Sequence, residues 1–302
     1  MAAQLIPGKE IAETIVTGVR ETVTQMVAGG YTPKLTAIQV GENAASAVYV
    51  KAQETNCRKV GIGYELKSLP AETTEGELLA FLDGLNGDST VTGIILQLPL
   101  PSQIDMRRIQ ARITPAKDVE GVNPANMGMI VYGNAALAPC TALAARECIA
   151  HTQVKLYGKE VVVVGHSEIV GKPVALLMLE QFATTTVCHI ATGQRGTLEG
   201  HVRRAEVLVV AVGKAGLIKG EWVARGAIVI DVGINRIKET GPDGQPVFDE
   251  KGRQKTRIVG DVEFDRARER ASWITPVPGG VGSVTTSILL RNVVNAAKLQ
   301  IG

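Results

Sequence analysis

Residues 161–173 of this chain read VVVVGHSEIVGKP, an apolar run that breaks at a glycine and resumes in a helical pattern. Backbone N–H groups at such a helix start, together with the positive end of its dipole, suit a dinucleotide phosphate. Gly165 and Gly171 do not follow the GxGxxG spacing, so an ordinary strand–helix turn suits the same residues. Val210–Gly216, VAVGKAG, would end a second strand beside the same cleft at the carboxyl edge of a parallel sheet, which adds weight to a nucleotide. In Thr275–Gly282, TPVPGGVG, two prolines fix the chain and three glycines admit close approach to a flat ligand. A turn between domains would use the same residues.

A third group sits on one helical face. Ser46, Tyr49 and Gln53 lie at i, i+3 and i+7, so Tyr49 can stack on an aromatic ligand with Gln53 hydrogen-bonding beside it. Lys51, two residues from Tyr49, points elsewhere and reads as a solvated lysine. Gln97 in LQLPLP and the acidic group of KDVEG, Lys117–Gly121, fall at strand-end or loop positions where polar side chains face clefts.

The elements that position these residues alternate. Gly8–Val27 has the apolar spacing of a helix, Lys34–Val40 of a strand, and Ser46–Val60 of a second helix. Strands over Tyr64–Leu69 and Thr92–Leu96 flank a helix over Thr74–Leu85, capped by Thr73 or Thr74. After a helix over Ala142–Thr152, the run Lys159–Gly165 is apolar on both faces, as a central parallel strand requires. A helix over Val170–Phe182 and strands over Thr184–Cys188, Val207–Val212 and Ala227–Val232 complete a second doubly wound α/β domain. The polar stretch Lys238–Arg257 reads as an exposed hairpin or loop, and Ser283–Leu299 as a last helix that returns to the first domain.

Composition narrows the function classes. The 302 residues are 45% hydrophobic but only 4% aromatic, enough for one large or two medium aliphatic cores, and two domains are expected. Thirty-two basic against 30 acidic residues leave a net charge of +2 with no run of like charges, so small molecules rather than nucleic acid or membranes are the expected partners. Cys57, Cys140, Cys148 and Cys188 lack CxxC spacing and the four histidines do not cluster, so reduced thiols and no metal site are expected. Charges recur through MAAQLIPGKEIAETIV and no apolar run reaches membrane-spanning length, which predicts a cytoplasmic protein.

In order, VGENAASAVYV, GIILQLPLP, PAKDVEGVNP, PCT, VVVVGHSEIVGKP, VCHIATG, GAIVIDVGIN, VGDVEF and ITPVPGGVG resemble the bifunctional methylenetetrahydrofolate dehydrogenase/methenyltetrahydrofolate cyclohydrolase family over almost the whole chain. The resemblance implies two doubly wound α/β domains with a folate cleft between them, and a homodimer. Residues 1–140, completed by a C-terminal helix over 283–302, would form the folate domain, and residues 141–282 a Rossmann-type NAD(P)-binding domain. It places Tyr49, Gln53, Gln97 and Glu120 at the chemistry, and Ser46, Leu98, Pro99, Pro278, Gly279 and Gly280 with Tyr49, Gln97 and Glu120 around the folate. It places the dinucleotide along Thr141, Gly165, His166, Ser167, Ile169, His189, Ala211, Val212, Gly213, Ile234 and Gly279. The implied reaction is hydride transfer from the methylene bridge to nicotinamide C4, in which the protein mainly positions.

Four residues depart from the family pattern. The YxxxK motif, whose lysine assists the cyclohydrolase step, reads YVKAQ here, with Gln53 in the lysine position. An amide only donates and accepts hydrogen bonds, whereas an amine can exchange a proton. Dehydrogenase activity is therefore expected to survive and cyclohydrolase activity to be weak or absent, with a separate cyclohydrolase as a candidate partner. Glu120 stands where the family has Asp, lengthening the arm by a methylene. PCTPxG appears as PCTALA, with Ala142 and Ala144, which alters a turn. His166 and Ile190 stand where NADP-using relatives often carry Arg and a small hydroxyl residue, so NADP is favoured by family habit with NAD close behind. Two alternatives stay open: a fully bifunctional enzyme in which Gln53, Gln97 or a water replaces the lysine, and a non-catalytic folate- or dinucleotide-binding paralogue.

Overall fold

The computed structural model describes residues 2–41, 44–241 and 245–301, except for the side chains of residues 44–48. The Ser46 side chain thus lies outside the described residues.

The chain begins β1 (Gln4–Leu5), α1 (Gly8–Ala28), β2 (Lys34–Val40), α2 (Ala44–Val60), β3 (Gly63–Leu69), α3 (Glu75–Gly87), β4 (Gly93–Leu96), α4 (Met106–Arg112) and α5 (Pro124–Val131). It continues α6 (Cys140–His151), β5 (Glu160–Val164), α7 (Gly171–Leu179), β6 (Thr184–Cys188), α8 (Ile190–Gln194), α9 (Leu198–Arg203) and β7 (Val207–Val210). Then follow β8 (Ile228–Asp231), β9 (Asn235–Lys238), β10 (Thr256–Val259), α10 (Phe264–Arg268), β11 (Trp273–Ile274) and α11 (Val281–Ile301). The residues form two compact units, one of Ala12–Cys140 with Thr285–Gly302 and the other of Met1–Ile11 with Thr141–Val284.

In the first unit, β2 pairs in parallel with β3 on one side and β4 on the other. Successive side chains of a strand face opposite ways, and both faces of β2 are apolar. Leu35 and Ala37 pack with Leu289, Leu290, Val293 and Val294 of α11, while Ile38 and Val40 pack with Leu78 and Leu82 of α3. Thr74, the N-cap of α3, forms a capping box with Glu77, whose backbone N–H donates to Thr74 Oγ1 at 3.3 Å. The far end of α3 is closed from outside the helix. The buried Lys117 Nζ donates to the carbonyls of Leu85 (2.9 Å), Asn86 (2.8 Å) and Asp88 (2.7 Å). This ammonium supplies donors where a helix C-terminus leaves acceptors unpaired.

In the second unit a parallel six-stranded sheet has the order β1-β11-β8-β7-β5-β6. Val161–Val164 and Val207–Val210 are buried on both faces, as strands of a doubly wound sheet must be. The expectation that residues 1–140 belong to one domain is corrected at its start. Gln4 and Leu5 pair in parallel with Trp273 and Ile274, so the N-terminus adds an edge strand to this sheet. The stretch expected as a hairpin or loop is the antiparallel β9–β10 pair and its extension.

Candidate functional site

In the first unit, α2 presents Tyr49, whose side chain is 70% exposed, and one turn later the half-buried Gln53. Gln53 Oε1 accepts two hydrogen bonds, from Gln97 Nε2 at 2.9 Å and from the Tyr64 hydroxyl at 3.3 Å. Gln97 is nearly buried at the end of β4, where its own N–H donates to the Ile38 carbonyl at 2.8 Å. The main chain then passes through a cis Leu98–Pro99 peptide, with both residues exposed. Gln53 and Gln97 thus form one bonded pair beside an exposed aromatic ring. Lys51 is exposed on the same helix, as its spacing predicts. Tyr64 escaped sequence reasoning because nothing in its β3 strand pattern marks the partner across on α2. Burial pushes its hydroxyl up to about 12, so it stays a donor at neutral pH.

The KDVEG segment divides its work. Lys117 closes α3, and Asp118 holds the loop: its carboxylate accepts from the N–H groups of Gly121 (3.1 Å) and Asn123 (2.7 Å) and from Asn126 Nδ2 (2.9 Å). Glu120, between them, remains partly accessible. Desolvation, and then the neighbouring Asp118 charge, push its carboxyl up to about 7, against the pull of the Leu96 N–H. That N–H belongs to the residue before Gln97, so Glu120 lies at the same strand end as the amide pair.

In the second unit, the turn from β5 into α7 packs so closely, against itself and against the end of β7, that two positions admit no side chain. A Cβ on Gly165 would lie 2.3 Å from the Ala211 carbonyl oxygen, and one on Gly171 would lie 2.1 Å from the Gly165 oxygen. Such a pinch lets backbone approach a flat or phosphorylated ligand, which fits a dinucleotide. One detail differs from expectation. Ser167 Oγ accepts from the N–H groups of Val170 (3.2 Å) and Gly171 (3.4 Å), so those donors at the helix start are occupied by the protein itself. Gly171→Ala is expected to destabilise the protein by about 2–3 kcal/mol and to weaken dinucleotide binding, read by urea unfolding and by cofactor titration; unchanged binding would argue against this turn as the cofactor's seat.

At the carboxyl ends of β5 and β6, His166 and His189 are both exposed, with ring centroids 5.3 Å apart. Ile190 beside them is 76% exposed, and Ile169 also faces solvent. Ala211, Val212 and Gly213 follow β7, and the loop is held by a residue sequence reasoning missed. The Asp261 carboxylate accepts from the N–H groups of Val212 (2.7 Å), Gly213 (3.0 Å) and Lys214 (2.8 Å), and from Asn235 Nδ2 (2.8 Å). Asp231 in turn accepts from the N–H groups of Gly233, Asp261 and Val262 at 2.9–3.0 Å, and burial pushes its carboxyl up to about 6. The aspartates of DVG and GDV were the available signal. Ile234, Pro278, Gly279 and Gly280 line one recess of about 230 Å³ with Asp231. Val277–Pro278 is cis, and Gly279 has a φ of +104° that favours glycine. Thr141 is half-buried in the first turn of α6.

Among the described residues no cluster of His, Cys, Asp or Glu could hold a metal, and no helix is long and apolar enough to cross a membrane. Residues 6–120 match the family model for the tetrahydrofolate dehydrogenase/cyclohydrolase catalytic domain, and residues 139–301 that for its NAD(P)-binding domain. Bifunctional protein FolD 2 of Mesorhizobium japonicum is 48% identical over 298 residues, covering 99% of this chain and 92% of that protein. Among solved structures, the bifunctional FolD methylenetetrahydrofolate dehydrogenase/cyclohydrolase of Campylobacter jejuni is 38% identical, with a TM-score of 0.89 over 99% of each chain. The Trypanosoma brucei methylenetetrahydrofolate dehydrogenase-cyclohydrolase, complexed with NADP and an inhibitor, is 36% identical, with a TM-score of 0.88 over 100% of this chain and 99% of that one.

Proposed function

This chain belongs to the tetrahydrofolate dehydrogenase/cyclohydrolase family, and on that premise we propose that it oxidises 5,10-methylenetetrahydrofolate to 5,10-methenyltetrahydrofolate with little cyclohydrolase activity. The observation that carries the second half is the Gln53–Gln97–Tyr64 arrangement, in which a neutral amide fills the place of the family lysine.

Bound NAD(P) supplies the hydride acceptor; Thr141, Gly165, His166, Ser167, Ile169, His189, Ala211, Val212, Gly213, Ile234 and Gly279 would hold it. The chain's residues do the positioning. Tyr49 offers its exposed ring as a stacking surface, the Gln53–Gln97 pair orients the reacting end, and Glu120 grips the pterin. Leu98, Pro99, Pro278, Gly279 and Gly280, with Ser46, complete the folate contacts. Removing hydride from the methylene carbon leaves a cation shared by N5 and N10, and no protein group has to exchange a proton. Hydrolysis is different, because water must lose a proton as it attacks, and neither Gln53 nor Gln97 can accept one. An imidazole at His166 and an apolar Ile190 favour a 2′-phosphate less than the Arg fork and a small hydroxyl residue would, so NADP is the first cofactor to test and NAD the second. A homodimer in the cytoplasm belongs to the same proposal.

The test is a spectrophotometric assay with methylenetetrahydrofolate and each cofactor, following reduced cofactor and methenyl product separately. Methenyl product is expected to accumulate in step with reduced cofactor. Reduced cofactor without accumulating methenyl product would mark a bifunctional enzyme, and binding without any reduction would mark a non-catalytic one.

A further inference from the structure

Asn292 lies in the middle of α11, wholly buried. Its Nδ2 donates to the carbonyls of Val119 (2.9 Å) and Ala138 (3.1 Å) and reaches Cys140 Sγ at 3.5 Å. Two carbonyls can only accept, so the orientation of this amide is fixed by its partners. Its Oδ1 is buried with no partner among the described residues. A leucine would avoid burying an unpaired oxygen but would release both carbonyls. The position is therefore suited to its donors and not to its packing.

What the donors hold is the approach to Glu120. The Val119 carbonyl belongs to the peptide plane whose nitrogen is that of Glu120, so fixing this oxygen fixes the direction in which Glu120 leaves the main chain. Cys140 Sγ donates to the same oxygen at 3.4 Å. On the other side of Glu120, Gly121 has a φ of +71° and packs against Ala138 so tightly that a Cβ would lie 2.2 Å from its carbonyl carbon. Ala138 is in turn Asn292's second partner. We propose that Asn292 is a positioning residue for Glu120, acting through the Val119 carbonyl with Cys140 as a second donor. The proposal rests on the folate contact assigned to Glu120 above.

The experiment is a double-mutant cycle on the full chain, reading KM for methylenetetrahydrofolate, KM for NAD(P), kcat and the acid limb of kcat/KM. Asn292→Ala is expected to raise the folate KM about tenfold, shift the acid limb and leave the cofactor KM unchanged. In a Glu120→Gln background the same substitution is expected to add less than about twofold. Cys140→Ala gives a smaller change of the same kind, and carries the cycle by itself if Asn292→Ala does not fold. A lowered Tm with unmoved folate KM and acid limb, or full additivity with Glu120→Gln, overturns the proposal. If Glu120→Gln alone leaves the folate KM unchanged, the folate contact fails, and the proposal with it.

Discussion

Gln53→Lys is expected to raise hydrolysis of methenyltetrahydrofolate by about 10²- to 10⁴-fold, the range over which general acid–base help operates. The neighbours can receive the new group. The Gln97 amide, now donating Nε2 to Gln53, can turn to offer its oxygen to an ammonium, and the Tyr64 hydroxyl can accept as well as donate. An amine so placed can exchange a proton with the attacking water. In a coupled assay the native protein is expected to show methenyl product building up, and the variant to show it disappearing as it forms, with the rate of cofactor reduction within about twofold because hydride transfer uses no such base. Equal hydrolysis rates in the two proteins would remove Gln53 as the limiting residue.

Glu120→Gln should lower kcat/KM for the folate by roughly 10- to 100-fold, the loss expected when a charged hydrogen-bond partner becomes neutral. The native protein offers an independent check through pH. With its carboxyl pushed up to about 7, Glu120 is protonated below that pH. The folate kcat/KM is then expected to fall about tenfold per pH unit on the acid side, and Glu120→Gln to abolish that limb. Stability moves the other way. The folded-state pKa is raised above the unfolded value of about 4.3, so Glu120's contribution to stability is complete below that value and is lost as pH rises through about 7. Urea titrations of the native protein should show this loss between about pH 4 and 8, and Glu120→Gln should show less of it. An acid limb that persists in the variant would assign the titration to another group.

Much of this architecture is legible in the residues because the patterns are local. Val161–Val164 is apolar on both faces, Thr74 and Glu77 stand at capping-box spacing, and the Lys34–Val40 strand has the bounds the sequence predicts. The edge strand Gln4–Leu5 and its neighbour Trp273–Ile274 were not visible, since two residues carry no periodicity and their partners are remote in sequence. The site follows the same division. Spacing put Tyr49 and Gln53 on one face, and Gln97 at a strand end. It could not show that Tyr64 shares the Gln53 oxygen, that Asp118 rather than Glu120 is the acid spent on the loop, or that Asp231 and Asp261 hold the two turns around the cofactor's expected place. Each of those pairings exists only after distant segments meet.

Each unit is built from two separate stretches of sequence, which bears on how the chain is made. Domains generally fold as units, N-terminal first, as a ribosome delivers them. Here the unit of Ala12–Cys140 is synthesised early but lacks Leu289, Leu290, Val293 and Val294 until α11 emerges. The unit of Met1–Ile11 and Thr141–Val284 possesses all its residues first. The unit whose sheet is made first in full is therefore expected to be completed last. Before α11 arrives, Leu35 and Ala37 have Val19, Val23, Cys57 and Val60 to pack against but lack its four apolar side chains, and the Val119 carbonyl that leads into Glu120 lacks its Asn292 donor.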